Sequence, residues 1–194
     1  MQTRAISALW LICMPFCFGT AGTACAAVVE KKDVQHYPVD GSKAATLKAA
    51  LNAATPVREN GQLYHGNTRW EVRWHYTWQR AANGRCRIDS VTTDLQVRMI
   101  LPELKNASPA MQEQFIHYYT ALRVHEEGHV QNGRAAAHDI DQKLLSWPVA
   151  SSCEALESAA NNWGMQRLQE ANAEDIRYDQ ETGHGRTQGA VLPR

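Results

Sequence analysis

Net charge is missing from this sequence: 20 Lys and Arg offset 20 Asp and Glu across 194 residues. A chain with no positive surplus lacks the electrostatic footprint of a partner for nucleic acid or an anionic membrane surface. Long apolar runs are scarce as well. Residues 5–18 form one, but it is short for a bilayer span and contains Pro15. No second run follows, so no membrane span is expected. Cysteine is sparse where it would matter. Cys13, Cys17 and Cys25 fall near the start, leaving Cys86 and Cys153 beyond it. Neither has a second cysteine nearby, which argues against a thiolate metal site. A lone pair in an exported protein most simply makes one disulfide.

What is present begins with a leader. Arg4 supplies a positive start, residues 5–18 an apolar stretch, and Ala24-Cys25-Ala26 a small-x-small cleavage site. Residues 1–26 therefore read as a signal peptide, with Ala27 as the mature N-terminus, and the product as periplasmic or secreted. A lipid anchor on Cys25 is the weaker alternative, because Gly22-Thr23-Ala24 lacks a Leu-like residue three positions upstream. Residues 27–194 are enough for one domain with its own core.

The organising stretch is Val124-His125-Glu126-Glu127-Gly128-His129-Val130. On a helix, His125 and His129 lie one turn apart and about 40° from each other, so two imidazoles can share one metal ion. Glu126 sits on their flank, roughly 80° from the middle of the pair, where it can reach a metal-bound water without being a ligand. Glu127 points about 180° away. The apolar stripe of this helix runs Phe115, Tyr118, Leu122, His125, His129, Gly133, Ala136, Ile140, Leu144. The histidines thus fall in the buried stripe, where a polar ring needs a partner.

The rest reads as an α+β chain. A strand is expected at residues 34–39, and a short helix at 43–53 capped by Ser42. Alternation of Trp70, Val72, Trp74, Tyr76 and Trp78 with polar residues marks a strand over 69–79. A second strand, 86–101, shifts phase near Asp89-Ser90 as at a bulge and ends at Leu101-Pro102. The two pair as an antiparallel hairpin. Ser108-Pro109 opens the H-E-x-x-H helix, which runs to about residue 146. Ser151-Ser152-Cys153-Glu154 opens a second, antiparallel helix over 152–177. The glycines and polar residues after it read as a loop.

A catalytic zinc takes three protein ligands and keeps one position open. His138 faces away from His129 on the same helix. Glu154, Glu157, Glu170 and Glu174 on the second helix are candidates without a distinguishing neighbourhood. His184, between Gly183 and Gly185 in a loop that can fold back, is the favoured third ligand, with Asp179 the next choice.

The chain resembles an uncharacterised family of bacterial secreted proteins described as predicted zinc-dependent proteases. The resemblance rests on His36-Tyr37-Pro38-Val39-Asp40-Gly41, on residues 66–74, on His125 to His129, and on Tyr178-Asp179-Gln180-Glu181-Thr182-Gly183-His184-Gly185. It implies that the tail belongs to the site and draws attention to His184 and Tyr178. The combined expectation is a zincin-like α+β domain in which a small antiparallel sheet packs on the long helix and the second helix. Zinc would be held by His125, His129 and His184. Glu126 would act as general base toward a peptide carbonyl, and Tyr178 would steady the oxyanion. Asp179 or Thr182 would fix the tail loop. The rival readings are a cell-wall peptide amidase and a non-catalytic exported zinc-binding or scaffold protein.

Overall fold

Period-two alternation forms the sheet. The computed structural model describes residues 26–193, so the expected leader, Cys25 included, lies outside the described residues apart from Ala26. Three long strands, β1 (Ala26–Asp40), β4 (Asn67–Arg80) and β5 (Cys86–Lys105), lie in the order β1-β5-β4. A small hairpin, β2 (Val57–Glu59) with β3 (Gln62–Tyr64), stands apart from them. β4 and β5 are antiparallel as expected. Their register slips where Thr77 faces Ser90 and Trp78 faces Ile88, which leaves Asp89 as the extra residue of a bulge.

Two expectations for the sheet need correction. First, it is mixed rather than purely antiparallel, because β1 joins β5 in parallel from Ala26↔Val91 to Asp40↔Lys105. β1 is also longer than residues 34–39. Second, Pro102 does not end β5. The β4 partner stops at Asn67↔Ile100, so beyond Ile100 a proline removes no hydrogen bond to β4.

The inner face of the sheet is apolar. Val72, Val91, Leu95, Val97, Met99 and Leu101 are all buried. The long helix α2 (Pro109–Leu145) crosses this face, with the Ser108 side chain accepting from the Met111 N–H and Pro109 in the first turn. Its buried stripe includes Tyr118, Leu122, His125, His129, Gly133, Ala136, Ile140 and Leu144, which is the stripe expected from the sequence. Gly133 is no weak point in context. A Cβ there would come to 2.8 Å from Trp70, so glycine lets helix and sheet approach.

A short helix α1 (Leu47–Ala54) follows β1. It is capped by Thr46, not Ser42, because Asp40 instead organises a single 3-10 turn at Gly41–Lys43. Antiparallel to α2 runs α3 (Cys153–Thr182), capped by Ser152. Cys86 and Cys153 form the expected disulfide, fastening the start of β5 to the start of α3. The indole N–H of Trp70 donates to Asp175 at 3.2 Å and that of Trp74 to Asn161 at 3.0 Å, so the aromatic strand also holds α3 to the sheet.

α3 does not stop at residue 177. It continues to Thr182 and ends at Gly183, whose left-handed backbone (φ 56°) closes the helix. This extension decides where the tail residues go. Among the described residues no helix is long and apolar enough to cross a membrane.

Candidate metal centre

Where α2 passes the end of α3, two i, i+4 pairs face each other: His125 and His129 on α2, Asp175 and Asp179 on α3. His125 and His129 are 3% and 7% exposed. Their Nε2 atoms are 3.4 Å apart. Asp179 Oδ1 lies 3.1 Å from Nε2 of His125 and 3.2 Å from Nε2 of His129. The three donor atoms therefore form a nearly equilateral triangle, and His125, His129 and Asp179 can hold a metal ion.

The geometry passes a direct test. Donors about 2.0–2.1 Å from a tetrahedral ion are separated by about 3.3–3.4 Å, close to the edges seen here. Asp179 Oδ1 is buried and has no aligned hydrogen-bond donor, although two imidazole nitrogens stand within 3.2 Å of it. The three groups converge on a common point rather than on one another.

The outer partners fix the ligands. His129 Nδ1 faces Asp175 Oδ1 at 2.9 Å, and Asp175 is held in turn by Asn132 and Trp70. His125 Nδ1 faces Gln188 Oε1 at 3.0 Å. Both Nδ1 atoms therefore carry the proton toward an acceptor, and both Nε2 lone pairs are left for a metal. The carboxylates also draw a proton onto His129, which a bound ion would have to displace from Nε2. Burial would push the Asp179 carboxyl up, but the neighbouring imidazoles outweigh it and hold the group well below the usual carboxylate range. Burial would likewise lower His129, yet Asp175 and Asp179 raise it to about 10.

Glu126 stands on the flank of the histidines, as expected, and is 3% exposed. Its Oε2 is buried without a hydrogen-bond partner. Burial raises its pKa, opposed by Thr68, His129 and His125. Gly66 faces it so closely that a Cβ there would overlap Oε1. Glu127 points elsewhere and pairs with Lys32 of β1. A cleft of about 490 Å³ opens over the group, lined among others by His65, Tyr118, His125, Glu126, His129, Asp179 and His184.

The third position of the triangle differs from the sequence reading. It is taken by Asp179, and His184 stands behind it. The His184 side chain is 45% exposed, with Nδ1 3.4 Å from Asp179 Oδ1 and Nε2 3.4 Å from the Tyr64 hydroxyl. The reason is the extra length of α3, which carries Asp179 to the histidines on its last turn. The glycines beside His184 serve the backbone. Gly183, His184 and Gly185 all have positive φ, and a Cβ on Gly185 would touch His125 at 3.0 Å.

Tyr178 is also placed otherwise than expected. Its hydroxyl donates to the His125 carbonyl at 3.1 Å and accepts from Gln188 Nε2 at 2.9 Å. Its ring stacks on His125 with the planes 11° apart. It is absent from the cleft lining, so it braces a ligand rather than facing an oxyanion. Gly128 makes room for it, since a Cβ at that position would overlap the hydroxyl. Thr182 accepts from the Gly185 N–H at 3.4 Å within the tail loop, and its hydroxyl lies 3.4 Å from His125 Nδ1. His138 is exposed, and so are Glu154, Glu157 and Glu170, while Glu174 pairs with Arg167.

Asp175, Gln188 and His65 are missing from the sequence reading, and Tyr118 enters it only as a residue of the apolar stripe. Asp175 had a readable signal, because Asp175, Tyr178, Asp179 and Thr182 repeat at i, i+3, i+4 and i+7, one face of a helix. Gln188 had none.

Neither the curated proteins nor the solved structures contain a match to this chain. A family model matches residues 34–185, which covers the three helices, β2 to β5, the second half of β1, and His125, His129 and Asp179. Its description assigns no activity and no metal, so the site described above rests on geometry. The chain belongs to a family of bacterial proteins of unknown function (DUF922).

Proposed function

We propose that this protein is an exported zinc-dependent peptidase of zincin type, with His125, His129 and Asp179 as ligands and Glu126 as general base. The single observation that carries this reading is the juxtaposition of a three-donor triangle with a buried carboxylate whose Oε2 has no partner. Three ligands, rather than four, are the pattern of a catalytic zinc with a position open to the cleft. Nitrogen and carboxylate donors in tetrahedral array suit Zn2+. The leader and the disulfide fit an oxidising compartment.

A bound zinc ion would supply a Lewis acid and a water acidic enough to lose its proton near neutral pH. The work of the chain is then to place groups and move that proton. Glu126 would receive it at Oε2 and pass it to the departing amine, and burial, which raises its pKa, favours the protonated form in between. Asp175 and Gln188 hold the two imidazoles in the ligating tautomer. Tyr118 and His65 shape the cleft wall around the substrate, with His65 Nδ1 2.7 Å from the Tyr118 hydroxyl.

The test is metal analysis and peptide hydrolysis with the purified chain from residue 27 onward. Glu126→Gln should keep the metal and lose hydrolysis by at least about a hundredfold. Glu127→Gln should keep both. Equal loss in the two variants, or full activity in Glu126→Gln, overturns the assignment.

A further inference from the structure

On the face of the sheet opposite α2, a further hollow of about 230 Å³ is lined by Arg58, Arg69 and Arg98 together with Glu59 and Asn67. Val57, Glu59, Asn67 and Arg69 line both this hollow and the metal cleft, so the two are continuous around the first residues of β4. Arg69 and Arg98 are direct cross-strand partners. Like charges so placed are destabilising, and the carboxylates nearby, Glu59 in the hollow and Asp33 across from Arg98 on β1, are not drawn into ion pairs with them. Among the described residues none of the three guanidiniums is in an ion pair. Asp33, opposite Arg98 on β1, instead accepts from Gln35 Nε2 at 2.8 Å. Further along the same strand the balance is different. Arg73 is 2.8 Å from Glu71 and lies across from Asp94. That arginine is held in an ion pair, whereas among the described residues Arg69 and Arg98 stay unpaired where the outer face of the sheet meets the cleft.

We infer that the three arginines form an anion subsite of the cleft, which takes a carboxylate of the substrate. The carboxylate is either an acidic side chain or the terminal carboxylate of a peptide. That the carboxylate belongs to a peptide rests on the peptidase reading. The subsite itself rests on charge and placement. Guanidiniums present paired N–H donors that match a carboxylate, and three of them against one Glu59 leave the hollow positive. Of the three, Arg69 alone lines both hollows, so a ligand reaching from the metal centre round the edge of β4 meets it before Arg58 or Arg98.

The experiment uses the zinc-loaded Glu126→Gln chain, which binds without turnover. It is titrated with fluorescein-labelled decapeptides that differ only by Glu against Gln, or by a free against an amidated C-terminus. The carboxylate forms should bind about tenfold more tightly, with the advantage shrinking at high salt. The Glu arm and the amidated arm identify the source of the carboxylate. The preference should vanish in an Arg69→Gln/Arg98→Gln double variant and persist in the Arg69→Lys/Arg98→Lys pair, both checked for fold by circular dichroism. Binding without charge preference, no binding, or a preference that survives the double glutamine variant overturns the subsite. Hydrolysis by the unsubstituted chain is read separately. Charge-dependent binding without hydrolysis of any peptide sinks the peptidase reading and leaves the subsite standing, whereas hydrolysis indifferent to charge does the reverse.

Discussion

The α2–α3 helix pair has two unlike ends. Near the connection the contact is apolar: Ile140, Leu144, Leu156 and Ala160 are fully buried, and the disulfide closes that end against β5. At the other end the same two helices bury His125, Glu126 and His129 against Asp175, Tyr178 and Asp179. Polar burial on this scale is unfavourable unless every group finds a partner. Two oxygens, Glu126 Oε2 and Asp179 Oδ1, do not. One end of the hairpin stabilises the fold, and the other leaves two buried oxygens unpartnered at a group that could hold a metal ion.

That contrast can be broken first at the polar end. His125→Ala, His129→Ala and Asp179→Ala should each weaken metal binding by at least about a hundredfold, since two remaining donors hold an ion poorly. His184→Ala should change it far less. The comparison is made by competition with a chromogenic chelator, and a His184 effect as large as that of Asp179 would restore His184 to the third position.

The apolar end is tested by reduction. Opening Cys86–Cys153 should lower stability by about 2–4 kcal/mol in urea unfolding while leaving metal affinity nearly unchanged. If metal and stability fell together, the two ends would not be separable.

A smaller effect is expected at Gly128→Ala. The added methyl must displace the Tyr178 hydroxyl, which costs about 1–3 kcal/mol of overpacking and frees the His125 ring it stacks on. Thermal melting with and without metal reports both losses. An unchanged Tm would mean that Tyr178 does not brace the site.

The smallest effect concerns acid. Burial, and then Lys48, depress His65 to about 4, while an unfolded histidine titrates near 6.5. Between these values the unfolded chain takes up the proton and the folded one does not. The His65 contribution is therefore intact above about 6.5 and is lost as pH falls toward 4. Urea unfolding at stepped pH should show a shallower decline in His65→Gln than in the parent chain over that window.

The fold was legible where the signal is local. The alternation of β4 and β5 and the 3.6-residue stripe of α2 needed only neighbouring residues. The parallel seat of β1 on β5 joins residues some 65 positions apart, with Ala26 facing Val91, and nothing in either strand names the other. At the site, His125, Glu126 and His129 were readable because their spacing is chemistry. Asp179 was offered only as an alternative, since the glycines at 183 and 185 drew the helix boundary too early. Turn-forming residues mark where a helix closes, and here the closure is five residues beyond the expected end.

Asp179 sits three residues before the last residue of α3. Helix termini open more easily than interiors, so this carboxylate belongs to the part of α3 that unwinds first. Metal release then reports on the fraying of a single turn, not on the melting of the domain. The ion should leave at denaturant concentrations where the β-sheet is still intact, and the lifetime of the bound metal is set by the stitches that hold that turn: Gly183, Thr182 and Gln188.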